Sequence, residues 1–126
     1  MNFGEFIIFV GFLVVGVAIM IAVLSSSSYV TRIPEEYTRF AQCLTQKGAK
    51  LYGIAGTTHY DEAQTLFGIS WEYVTFIDCS VQRSVCIASG VNKYPTWMFA
   101  DGSKRTQPMT FSQLASKTGC ALPSII

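Results

Sequence analysis

The chain has 126 residues, 50% of them hydrophobic, and a formal net charge of +1. This length suits one compact domain plus an appendage and is too short for two ordinary domains. Nine basic residues balance eight acidic ones, and no basic run of four or more occurs. The composition therefore disfavours nucleic acid as a partner.

The chain begins with an apolar segment. Phe6 to Leu24 carries no charge over nineteen positions, close to the ~20 residues with which a helix crosses a bilayer. A secretory signal has a positive n-region and a shorter apolar core, whereas this segment follows Glu5 and is long. The sequence predicts an uncleaved transmembrane anchor over 1–24 and a serine-containing linker over 25–33.

Residues 34–123 show helix and strand patterns in alternation. The predicted order is a helix from Pro34, strand Ala49–Ala55, helix Tyr60–Phe67, strand Tyr73–Asp78, helix Gln82–Ser89, strands Thr96–Ala100 and Lys104–Gln107, and a helix on Phe111, Leu114 and Ala115. Such an order favours an α/β domain with a mixed sheet and helices on its faces.

Three local signals refine this prediction. Thr58 with Asp61, and Thr110 with Gln113, have the spacing of capping boxes at helix starts. Asp101-Gly102 is typical of a two-residue hairpin turn between the last two strands.

Residues from about Phe40 to Pro123 resemble the thioredoxin-like domain fused to bacterial vitamin K epoxide reductase homologues. The matching segments are FAQCLTQKGAKLYG, LFG, YVTFIDC, VCIASGVNKYPTW and LASKTGC. The resemblance implies a thioredoxin-like fold, a mixed four-stranded sheet flanked by helices. It also implies a cis bond between Tyr94 and Pro95, next to the turn that holds the active site.

The catalytic motif of that family is missing. Where the family has Trp-Cys-Pro-His-Cys, this chain has Gly56, Thr57, Thr58, His59 and Tyr60. In active members a cysteine at the helix start becomes nucleophilic because the helix end lowers its pKa. The resemblance thus implies the fold without catalytic residues.

Two expectations concern the surface around the lost motif. In active thioredoxins this surface binds extended polypeptide, so Thr57, Thr58, Tyr60, Tyr94 and Pro95 are expected to line a groove for a peptide or partner subunit. His59, the single histidine, is expected either to donate a hydrogen bond in its neutral form or to be a partly exposed remnant of the motif.

Four cysteines allow three disulfide pairings. We favour Cys43–Cys120, which ties the ends of the domain together, with Cys79–Cys86, which closes a short loop. Cys79 and Cys86 are interpreted as a structural crosslink, with a relocated redox pair as the alternative. No Cys-x-x-Cys spacing, phosphate loop or Ser/His/Asp set is present, so no metal and no cofactor are predicted.

The orientation signals conflict. Arg32 and Lys47 follow the apolar span, which by the positive-inside rule favours a cytoplasmic domain. Four cysteines without a catalytic pair favour an oxidising compartment, and the resembled family works on the exoplasmic side. We expect a single-pass membrane protein with its C-terminal domain on the exoplasmic, periplasmic or lumenal, side.

The preferred function is a non-catalytic accessory or structural subunit. Its expected partners are the lipid bilayer and other membrane protein subunits. One alternative is a thiol-disulfide oxidoreductase that uses Cys79 and Cys86 or a partner reductase. The other is a filament subunit, because type IV pilins resemble this chain in having a glutamate at position five of an apolar helix, here Glu5.

Overall fold

The computed structural model describes residues 2–25 and 32–124, with side chains for 2–22 and 35–124. The chain divides into two compact units, Met1–Arg32 and Ile33–Ile126. Of the predicted linker over 25–33, residues 26–31 lie outside the described residues. Its two ends are helical, because Ser25 closes the first helix and Arg32 opens the second.

The first unit contains one long helix, α1, Phe3–Ser25. Its segment Phe3–Ala22 has a mean hydropathy of 2.7, and 0% of it is buried. By length and composition α1 suits a membrane span, although a signal sequence near an N-terminus has the same properties. A helix that is apolar on all sides requires an apolar surrounding.

The second unit is a mixed α/β domain, as the sequence predicts at this coarser level. Its helices and strands, in chain order, are α2 (Arg32–Gln46), β1 (Lys50–Gly53), α3 (Thr58–Phe67), a 3-10 segment (Gly68–Tyr73), β2 (Phe76–Asp78), α4 (Arg83–Ala88), β3 (Thr96–Met98), β4 (Lys104–Arg105) and α5 (Phe111–Thr118).

The four strands form one mixed sheet in the order β2-β1-β3-β4. β1 and β2 are parallel, whereas β3 is antiparallel to both β1 and β4. Leu51 of β1 is aligned with Phe76 of β2 and with Trp97 of β3. This alignment gives the sheet a continuous apolar row on one face.

The two faces of the sheet are covered unequally. On the face of Leu51 and Trp97, the helices α2, α3 and α5 bury a large core; its most enclosed members include Phe40, Leu44, Phe67 and Leu114. The opposite face carries Tyr52, which packs in a smaller cluster with Cys79, Cys86 of α4 and Val91. Successive residues of a strand point to opposite faces of the sheet, so Leu51 and Tyr52 belong to different clusters.

Every strand is shorter than predicted. β1 ends at Gly53 because the carbonyl of Ile54 already accepts the turn hydrogen bond from the Thr57 amide, at 3.3 Å. β2 begins only at Phe76, because the predicted first residue, Tyr73, ends the 3-10 segment instead. Apolar residues continue past the positions that form hydrogen bonds with a neighbouring strand. Strand lengths predicted from apolar character are therefore too long.

The β3–β4 hairpin has a three-residue loop, so the two-residue prediction is wrong. The amide of Phe99 bonds to the carbonyl of Ser103 at 3.0 Å, which leaves Ala100, Asp101 and Gly102 between the paired positions. Gly102 has φ of 80°, the left-handed conformation that such three-residue loops use.

One capping box is confirmed and the other is wrong. At α5 the Gln113 amide donates to Thr110 Oγ1 at 3.2 Å, and the Thr110 amide donates to Gln113 Oε1 at 2.9 Å. At α3 the helix begins two residues before the predicted Tyr60, and its N-cap is Thr57. The Thr57 hydroxyl donates backwards to the Ile54 carbonyl at 2.8 Å.

Candidate functional site

The candidate site begins at the turn between β1 and α3. Gly56 has φ of 82°, and this left-handed conformation turns the chain sharply from the strand into the helix. Thr57 is the N-cap, and His59 and Tyr60 lie in the first turn of α3. Gly56, Thr57, Thr58, His59 and Tyr60 therefore lie at a helix start, a position at which a cysteine would have a lowered pKa.

The peptide bond between Tyr94 and Pro95 is cis, as the resemblance implies. Pro95 directly precedes β3, which runs antiparallel to β1. The start of β3 therefore lies at the same end of the sheet as the end of β1. Pro95 is buried, whereas Tyr94 is 42% exposed.

Most of the predicted groove residues come together around this proline. Thr57, Tyr60, Tyr94 and Pro95 line one depression, and His59 also borders it. Thr58 lines neither this depression nor the neighbouring one described below; it is an exposed residue of α3.

A neighbouring apolar depression was not anticipated from the sequence. It encloses about 70 Å³, between α3, the start of β3 and the segment before α5. Leu66, Pro108 and Met109 line it together with Pro95 and Trp97. Leu66 is 42% exposed and directly precedes the buried Phe67. In the sequence, the one indication of this depression was that an apolar residue lies on the helix beside the position that faces the core.

Tyr60, in the first turn of α3, acts as a packing residue. Its ring lies 5.0 Å from that of Phe76 and 5.6 Å from that of Trp71, between ring centroids. Its hydroxyl accepts a hydrogen bond from Gln64 Nε2 at 2.9 Å. Aromatic contacts of this kind stabilise a fold, and a phenol in this position provides no thiol for exchange.

His59 is half-exposed, and its Nδ1 lies 3.3 Å from Glu62 Oε2. Both residues are on α3, three positions apart, and both border the second depression. The contact places a polar pair at the rim of an otherwise apolar groove.

All four cysteines are in disulfides, and the bonds are Cys43–Cys120 and Cys79–Cys86. These are the two bonds predicted from the sequence. Cys79 is 4% exposed and Cys86 1%, and thiol-disulfide exchange requires access to a sulfur. Their burial favours a structural crosslink over a relocated redox pair.

An acidic residue also lies beside the turn, at the end of β2. Asp78 Oδ1 accepts hydrogen bonds from the Ser80 hydroxyl at 2.6 Å and the Ser80 amide at 3.0 Å. The bond from the Ser80 side chain holds the pKa of Asp78 below its ordinary value. This carboxylate is therefore ionised at neutral pH and is poorly matched to proton transfer there.

The candidate site is concave and mostly apolar, with His59 and Glu62 among its lining residues. Its residues form two adjoining depressions around a cis proline, and no cysteine thiol is free. Among the described residues, no group of three or more His, Cys, Asp or Glu side chains is placed to hold a metal ion. No protein-family model matches this chain.

Proposed function

We propose that the chain is a membrane-anchored, non-catalytic accessory subunit whose domain is a degenerate thioredoxin-like fold. In this proposal α1 spans the bilayer, and the surface around Pro95 docks onto a larger membrane protein assembly. The domain lies on the exoplasmic side, to which the two disulfides are suited because they persist in oxidising compartments.

Three features of the domain support a thioredoxin-like origin. The sheet order is β2-β1-β3-β4 with only β1 and β2 parallel. A helix, α3, follows β1 directly after a glycine turn. A cis proline precedes β3 beside that turn.

The observation that carries the non-catalytic assignment is the chemistry of the turn itself. Thr57 and Tyr60 lie where the resemblance places the two cysteines. The ring of Tyr60 packs against other aromatic rings. Next to them the surface is apolar and concave. A cavity of ~150 Å³ holds a benzene-sized group, so the smaller depression suits an aliphatic side chain of a partner.

A first experiment tests the degenerate site. The purified chain is expected not to accelerate reduction of insulin by dithiothreitol, whereas the double variant Thr57→Cys/Tyr60→Cys is expected to do so. A control variant, Asp61→Cys/Thr65→Cys, carries two cysteines farther along α3 and should be inactive. Activity of the unmodified chain would refute the non-catalytic assignment; an inactive but folded double variant would refute the thioredoxin-like site.

A second experiment tests docking. A photoreactive amino acid at Tyr94 is expected to crosslink to a membrane protein in native membranes, and the same group at exposed Ser112 of α5 is not. Leu66→Asp should abolish the adduct from position 94, because a charge is costly in an apolar groove. Equal crosslinking from both positions, or none from position 94, would contradict docking through this surface.

A further inference from the structure

The face of the sheet that carries α4 also carries a row of cations. Lys50 and Lys104 are both aligned with Met98, one from each neighbouring strand. Met98 packs in the cluster beneath α4, and aligned residues project from the same face. Lys104 Nζ also donates to the Gly90 carbonyl at 3.2 Å, just after α4 ends. Both lysines are exposed.

Two more cations border α4 in the chain. Arg83 is its first residue, and Lys93 lies in the segment that leads from α4 to β3; both are exposed. The Lys93 carbonyl accepts a hydrogen bond from Thr96 Oγ1 at 2.6 Å. Thr96 is aligned with Tyr52, the central residue of this face. Lys50, Arg83, Lys93 and Lys104 are called the cationic face below.

The acidic residues of the domain lie mostly elsewhere. Those on the helices of the opposite face are Glu35, Glu36, Asp61 and Glu62. Asp101 is bonded to Lys117 of α5, with 3.0 Å between the charged atoms. Glu72 is on the 3-10 segment, and Asp78 alone directly adjoins the α4 loop. Four of the nine basic residues of the chain therefore lie on or beside the α4 face, and Asp78 is the acidic residue next to them.

Aliphatic side chains are exposed among these cations. Val81 is 79% exposed, Ile87 68% and Val85 42%, all on α4 or the loop before it. A comparable apolar pair, Leu66 and Ile69, lies between Glu62 and Glu72 in the chain, with no basic residue in that interval. Mixed cationic and aliphatic surface is typical of helices and loops that lie at a lipid interface.

We propose that the cationic face lies against an anionic lipid surface, with Val81, Val85 and Ile87 reaching the headgroup–acyl boundary. This inference rests on the proposed anchor. Residues 26–31 connect Ser25 to Arg32, and a chain of this length reaches at most about 25 Å. A tether of this length keeps the bilayer at high effective concentration, which favours lipid over an acidic protein as the occupant.

The test uses the full chain reconstituted in bilayer discs of phosphatidylcholine, with or without phosphatidylglycerol. Acetylation of Lys50, Lys93 and Lys104 by an uncharged reagent is expected to slow at least about threefold in the anionic discs. Lys117, on the opposite side, should change little, and high salt should restore the rates. Equal rates in both kinds of disc would overturn the proposal.

A matched pair of charge variants separates docking from a general charge effect. Arg83→Glu/Lys93→Glu should abolish the protection of Lys50 and Lys104. Lys47→Glu/Arg105→Glu has the same change in net charge and should retain the protection. Loss of protection in both variants would contradict a defined face.

A dye at position 85 provides a second readout. Val85→Cys carrying an environment-sensitive fluorophore should shift its emission to the blue in anionic discs, whereas Ile69→Cys should not. Protection of the lysines in native membranes but not in anionic discs would assign the face to an acidic protein and overturn the lipid proposal.

The proposed anchor is tested separately by an alkaline wash. Loss of the chain from the disc would refute the proposed anchor. In that case, the emission shift of the dye at position 85 on adding anionic vesicles would still test whether the cationic face binds lipid.

Discussion

Tyr60 is a packing residue at the start of α3. It stands at the helix start where a thiolate would be stabilised, yet its ring contacts Trp71 and Phe76. The sequence shows that residues 56–60 contain no cysteine. It does not identify the aromatic contacts, because Trp71 and Phe76 are 11 and 16 positions away and meet Tyr60 only in the folded domain.

Asp101 is the residue whose charge contributes most clearly to the hairpin. Its Oδ1 accepts from the Ser103 hydroxyl at 2.6 Å and the Ser103 amide at 2.9 Å, and its Oδ2 accepts from Lys117 Nζ at 3.0 Å. These bonds, the Ser103 hydroxyl first, hold the pKa of Asp101 well below its usual range. The ionised form therefore stabilises the fold.

We expect Asp101→Asn to lower the melting temperature at pH 7 only modestly, because the group is exposed and solvent screens it. A carboxylate with a depressed folded pKa stabilises above its unfolded pKa, and this contribution disappears as pH falls through the folded value. The difference from the unmodified chain should thus narrow below pH ~4. Thermal denaturation followed by circular dichroism between pH 2 and 7 tests this. A difference that grows on acidification would contradict it.

At the scale of elements, the two disulfides differ in what they connect. Cys43–Cys120 joins α2 to the segment after α5 across a sequence separation of 77, whereas Cys79–Cys86 spans a separation of 7. A crosslink stabilises chiefly by restricting the unfolded chain, and the effect grows with loop length. The longer loop should therefore contribute more.

Replacing Cys43 and Cys120 by serine is expected to cost ~4–5 kcal/mol of unfolding free energy, against ~2–3 kcal/mol for Cys79 and Cys86. Denaturant titration of both double variants, under non-reducing conditions, measures the difference. The two variants serve as controls for each other because each removes two cysteines. A larger loss of unfolding free energy on removing Cys79–Cys86 would contradict this expectation. It would show that the packing of this buried disulfide contributes more than the restriction of the unfolded chain.

The ends of the helices and strands show which features can be predicted from neighbouring residues alone. The α5 capping box was predictable because Thr110 and Gln113 are three positions apart and bond to each other's backbone. The β3–β4 loop was not, because its length depends on which residues pair across the hairpin, Met98 with Lys104. At α3, Thr57 rather than Thr58 became the cap, because the Gly56 turn placed it there.

At the scale of the whole molecule, the proposed orientation can be tested by labelling from outside intact cells. Ser116→Cys in exposed α5 should react with a membrane-impermeant maleimide, and Asn2→Cys, before α1, should not. After lysis both should react. The reverse pattern would place the domain in the cytoplasm, and free native cysteines in the freshly extracted protein would support that placement.

By itself the sequence determined the apolar first helix, the alternation of helices and strands, and the absence of cysteines from the turn after β1. These depend on composition and on neighbours within one or two turns. Only the tertiary structure decided which residues line the grooves around Pro95, where each strand ends, and that Lys50 and Lys104 share one face through Met98. Such features depend on pairing between distant segments, and the register of that pairing is set by the packed core as a whole.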